Sequence, residues 1–123
     1  MSKRVLVFGT FDGLHPGHVF FLRKAKTKGD ELVVAVARDK HVQILKDKRP
    51  NNIEEKRRLA VEGQACVSQA LLSDLELGEF EILKKVAPDL IVLGYDQVEL
   101  EEALLSWMTE EDRYIPMQRI KKL

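Results

Sequence analysis

The stretch GTFDGLHPGH, residues 9–18, holds two of the chain's three histidines, His15 and His18, directly behind the apolar run VLVF at 5–8. Imidazoles can serve as hydrogen-bond donors, acceptors or metal ligands. If Pro16 opens a helix, where its missing N–H costs nothing, His15 is the N-cap and His18 the third helical residue. Residues three apart share a helix face, so both rings point to one spot beyond the helix start. At that spot the unpaired backbone N–H groups and the positive end of the helix dipole favour an anion. Gly17 permits close backbone approach, Thr10 and the backbone of Phe11 add donors, and Asp12 caps the turn or orients a histidine. The group that suits this donor set is a phosphate chain.

Rival chemistries fit less well. Asp12-Gly13 is a hairpin signal, but Pro16 and Gly17 follow at once and leave no second strand. Neither the P-loop pattern nor GxGxxG occurs. Zinc requires a third and usually a fourth ligand, and only His41 and Cys66 are left, both distant in sequence.

The elements that must position these residues follow from the apolar pattern. Unbroken apolar runs predict buried strands at 5–8, 31–37 and 90–93, with shorter strands at 70–72 and 114–120. A helix from Pro16 turns Val19, Phe20, Leu22 and Ala25 to one side and closes at a left-handed Gly29-Asp30 cap. Asp39 caps a short helix through Leu45, and 46–52 reads as a loop. Further helices are predicted at 53–64, where Glu54 and Arg58 are spaced for an ion pair, and at 78–86 and 99–108. Trp107 is read as packing rather than as a platform for an aromatic ligand. Strands alternating with amphipathic helices make a parallel α/β sheet covered on both faces. Ligands bind at the carboxyl ends of such strands, where both GTFDGLHPGH and Gly94-Tyr95-Asp96 fall.

Composition narrows the class. The 123 residues suit one domain, and 20 basic against 20 acidic side chains leave zero net charge. That balance, without interleaved basic and aromatic residues, argues against nucleic-acid binding. Cys66 is single, which excludes an intrachain disulfide and fits a reducing compartment. The apolar run before Gly9 is too short for a signal peptide or a membrane span, so no membrane partner and a cytoplasmic location are expected.

Residues 9–18 resemble the signature of the nucleotidyltransferase superfamily, whose core is His-x-Gly-His. The segments VARD (36–39), EEKRR (54–58) and LGYDQ (93–97) look most like those of archaeal-type FAD synthases. The resemblance implies a three-layer, Rossmann-like fold with a five-stranded parallel sheet, and transfer of AMP from ATP to FMN with release of pyrophosphate. Two alternatives stay open: a CTP-dependent cytidylyltransferase acting on glycerol 3-phosphate or another small phosphorylated alcohol, and a nucleotide-binding module without turnover.

In such proteins His15 and His18 would contact the triphosphate, with Gly9, Thr10, Phe11 and Gly17 completing the nucleotide loop and Gly94, Tyr95 and Asp96 meeting base and ribose. Lys46 is similar to a mobile lysine that approaches both phosphates; its other reading is a solvated loop lysine. Arg57 matches an arginine used near the phosphates; its other reading is a surface ion pair. Arg38 and Asp39 would lie beside the acceptor. Magnesium would accompany the triphosphate, with no dedicated carboxylate cage in the sequence, and a homodimer is implied. The family's Ser/Thr-rich phosphate clamp after the last strand is not found as far as RIKKL (119–123): either it lies beyond these residues, or half of the clamp is lacking and Arg119, Lys121 and Lys122 could compensate for it by charge but not by equivalent geometry.

Overall fold

Strands that are apolar along their whole length must be covered on both faces, and helices supply that cover here. The computed structural model describes residues 2–121. Strands β1 (Arg4–Gly9), β2 (Glu31–Val36), β3 (Gln69–Leu72), β4 (Leu90–Leu93) and β5 (Met117–Arg119) form one parallel sheet in the order β3-β2-β1-β4-β5. Val5 and Val7 of the central strand point to one face with Val34 and Val92, while Leu6 and Phe8 point to the other with Val33 and Ile91. Val5, Leu6 and Val7 are wholly inaccessible, and each such burial contributes about 1.5–3 kcal/mol.

Helices α1 (Pro16–Lys26) and α3 (Glu54–Glu62) cover the first face through Leu22, Ala25 and Val61. Helices α4 (Ile82–Val86) and α5 (Val98–Glu111) cover the second through Ile82, Leu83, Leu104, Trp107 and Met108. Trp107 is therefore core, as its spacing suggested. Helix α2 (Asp39–Lys46) follows the carboxyl end of β2 and buries only His41 and Val42. No helix among the described residues is long and apolar enough to cross a membrane. The chain winds from β1 to β2 and β3 on one side, then returns to place β4 and β5 on the other. The neighbours β1 and β4 thus feed α1 and α5 on opposite faces, and a crevice opens beyond their carboxyl ends.

Several local expectations need correction. Helix α1 ends at Thr27 in right-handed conformation rather than at a left-handed Gly29. Gly29 is small for another reason: a Cβ there would sit 2.7 Å from both the Lys3 carbonyl oxygen and Val5 Cγ2. Asp39 is not the cap of α2. Arg38 holds that position without a side-chain cap bond, and the Glu54 carboxylate accepts from the Asp39 N–H at 2.8 Å. With Glu54 engaged there, Arg58 pairs with Glu55 and Glu62 instead. The helix expected from 78 begins only at Ile82, because Gly78 and Phe80 take positive φ values of +83° and +49°. Helix α5 runs on to Glu111, and β5 shortens to three residues.

Replacing Gly29 with alanine is expected to destabilise the protein by about 1–3 kcal/mol, the cost of forcing a methyl group into packed backbone. Urea denaturation measures it.

Candidate active site

The helix start at Pro16 places the two histidines as the spacing required, and then uses them in an unexpected way. His15 Nδ1 accepts hydrogen bonds from the backbone N–H of Gly17 (3.1 Å) and His18 (3.3 Å), while His18 Nδ1 accepts from the His15 N–H at 3.4 Å. This is a reciprocal capping box built from imidazoles. The rings stack with centroids 3.6 Å apart and planes 21° from parallel. Two of the backbone donors expected to hold an anion are therefore already satisfied. A neutral imidazole that accepts at Nδ1 carries its proton at Nε2, so the donor each ring can turn to a ligand is Nε2–H, with the Gly13 carbonyl a second acceptor beside the His18 ring.

The glycines of the loop make room for rings rather than for a ligand. A Cβ at Gly17 would meet His15 Cε1 at 2.9 Å, and one at Gly9 would meet Phe11 Cε2 at 2.6 Å. Phe11 itself has φ +53° and is 4% exposed. Its ring supports His18 edge-on at 5.4 Å. Burial lowers the His18 pKa below its ordinary 6.5; the neighbouring charges of His15 and Lys46 push the same way, against the Gly13 carbonyl.

A cleft of about 760 Å³ gathers both histidines, Gly9, Thr10, Phe11, Gly17 and Lys46 with Gly94, Tyr95 and Asp96. Lys46 is the last residue of α2 rather than a loop residue. Of the cations near the chain's end, Lys121 lines the cleft, Arg119 is ion-paired to Glu101, and Lys122 lies outside the described residues.

Three expected site residues stand elsewhere. Arg57 does not line the cleft and is not a surface ion pair. Its side chain is fully buried, with Nη1 donating to Thr10 O (2.7 Å), Nε to Asn52 O (2.9 Å) and Nη2 to Asp39 Oδ1 (2.7 Å). Arg38 donates to Ser73 O at 2.8 Å and pairs with Glu54 at 3.7 Å, and neither Arg38 nor Asp39 reaches the cleft. Asp12, by contrast, lines the cleft, but it neither caps its own turn nor orients a histidine: its carboxylate accepts from the N–H groups of Asn51 and Asn52 at 2.7 and 3.0 Å. Desolvation raises its pKa, but the bonds from Asn51 and Asn52 and the charge of Arg57 outweigh this and hold it below the ordinary 3.8.

Other site residues emerge only from the fold. Gln97 accepts from the Gly94 N–H at 2.8 Å and donates to Phe8 O at 2.9 Å, tying the carboxyl ends of β4 and β1 together. Phe20, Phe21 and Ile120 form an apolar wall of the cleft. The phenylalanines had a signal, since they sit one helical turn beyond Gly17 and His18. Gln97 had none.

Because its folded-state pKa is depressed, His18 contributes stability that is present above its unfolded value and lost as pH falls through the folded one. Nitrogen-15 NMR is expected to show His18 titrating below 6.5, with Nδ1 unprotonated in the neutral form. Titration above 6.5, or a proton on Nδ1, contradicts the cap geometry.

Known proteins resemble this chain in sequence and fold. The sequence profile of the family described as Cytidylyltransferase-like matches residues 6–120. An FAD synthase of Ferroglobus placidus is 48% identical over 111 residues, covering 90% of this chain and 68% of its own length. An FAD synthase of Aciduliprofundum boonei is 44% identical over 119 residues, covering 97% and 78%. The crystal structure of the lipopolysaccharide core biosynthesis protein from Thermoplasma volcanium superposes with a TM-score of 0.90 at 35% identity, over 100% of this chain and 99% of that one. A pantoate-beta-alanine ligase from Francisella tularensis, 13% identical with a TM-score of 0.66, shares the fold alone. From within β1 to the residue that follows β5, this chain belongs to the cytidylyltransferase-like family.

Proposed function

We propose that the protein transfers AMP from ATP to FMN, giving FAD and pyrophosphate. The observation that carries this reading is the stacked pair of histidines, each with Nε2–H as its ligand donor, at the crevice between β1 and β4. The FAD synthases among its relatives support the choice of substrates.

In the reaction an oxygen of the FMN phosphate attacks the α-phosphorus of ATP, and the bond from that phosphorus to the bridging oxygen of the β-phosphate breaks. No covalent enzyme intermediate is needed, so the protein contributes positioning and charge stabilisation. The Nε2–H groups of His15 and His18 donate to adjacent phosphate oxygens. Lys46 and Lys121 supply the positive field from other sides of the same cleft. Lys46 thereby takes the acceptor-facing role that ion pairing denies to Arg38 and Asp39. Gly94, Tyr95 and Asp96 receive the nucleoside on the β4 side, and Phe20, Phe21 and Ile120 offer an apolar surface to its base. Magnesium enters with the triphosphate on this reading. Among the described residues no group of three or more His, Cys, Asp or Glu side chains is placed to hold the ion, so no step is assigned to it.

Pyrophosphate release measured with ATP or CTP, each against FMN or glycerol 3-phosphate, tests the substrates. Turnover is expected with ATP and FMN. Turnover with CTP and glycerol 3-phosphate, or nucleotide binding without release in any combination, overturns the proposal. In the same assay His18→Ala is expected to lose about 10²–10³-fold in rate while still folding, the effect of removing one preorganised donor. Near-normal turnover would sink the role given to the histidine pair.

A further inference from the structure

The fold buries a guanidinium beside the cleft, and the transfer reaction as described makes no use of it. A buried charge is costly unless fully partnered, and Arg57 is partnered by three separate segments. It donates to Thr10 in the β1–α1 loop, to Asp39 at the start of α2, and to Asn52 just before α3. Asp12 grips the same corner from the other direction, accepting from the N–H groups of Asn51 and Asn52 and from Asn52 Nδ2 at 3.1 Å. The corner is thus held by its donors and by its carbonyl at once. Only residues 47–50 separate it from Lys46, and Lys46 is the cleft residue whose charge reaches His18.

We propose that Asp12 is a positioning residue for nucleotidyl transfer: by gripping Asn51 and Asn52, with Arg57 locking the corner behind them, it sets where Lys46 stands relative to His15 and His18. Asp12 lies in the loop that ends at the helix cap His15, so one short segment references both walls of the cleft. The proposal rests on the reading of the cleft as a transfer site. It assigns Arg57 a place behind Asp12 rather than a contact with phosphate.

A double-mutant cycle with ATP and FMN tests it. Asp12→Asn keeps the size of the side chain but loses its charge and one acceptor. It is expected to lower kcat about 10²-fold, the order of effect of a displacement near 1 Å, and to leave KM for ATP within about threefold. In a Lys46→Ala background the same change is expected to cost less than about threefold, because the residue it positions is already gone. Equal losses in both backgrounds, or a kcat for Asp12→Asn within about threefold of the parent, overturn the positioning role alone. A parent that turns over no nucleotide overturns the transfer reading, and this role with it. If Asp12→Asn fails to fold, amide hydrogen exchange of the parent decides. The Asn51 and Asn52 amides are expected to be protected at least about 10-fold, and open-chain exchange rates for both overturn the grip.

Discussion

The site depends on one interaction: the acceptance of the helix-start N–H groups by imidazole Nδ1 atoms. A helix must satisfy its first backbone donors, and short oxygen side chains usually do so. Here the cap is made by His15 and returned by His18. That choice fixes ring rotation, tautomer and mutual stacking together, so the remaining N–H donors are aimed before a ligand arrives. Donors that need no reorganisation are the effective ones in stabilising developing charge. The positive end of the helix dipole favours a phosphate at this spot, and burial holds the pKa of His18 below its ordinary value.

Holding the rings in place takes further support. Gly17 leaves space for the His15 ring to fold back over the helix start, and Gly9 leaves space for the Phe11 ring beneath His18. Phe11 adopts a left-handed backbone conformation that costs a non-glycine residue free energy. Burial of its ring in the core offsets that cost. The small residues of this loop thus serve internal fit, and the surface offered to a ligand is made of side chains.

The opposite wall comes from a different part of the chain. The β4–α5 loop is joined to the end of β1 by Gln97, which satisfies a donor on one strand end and an acceptor on the other. Arg57 and Asp12 perform the comparable task between the β1–α1 loop and the segment before α3. The cleft therefore sits among three loops that are cross-braced by buried or half-buried polar side chains, with Lys46 at the end of α2 between them.

The sequence by itself determined the strand and helix order, the parallel α/β class and the position of the histidines at a helix start. These rest on local causes: unbroken apolar runs, a proline at the first helical position and a three-residue spacing. It also placed GTFDGLHPGH and Gly94-Tyr95-Asp96 on one rim, because strand ends in a doubly covered sheet share a side. Only the tertiary structure decided which polar groups were left over for a ligand. Arg57 looked like a phosphate contact until Thr10, Asp39 and Asn52, between 5 and 47 residues away in the chain, were seen to take its donors. Asp12 and Gln97 are no different. A polar side chain's role depends on which distant backbone groups lack partners, and chain spacing does not encode that.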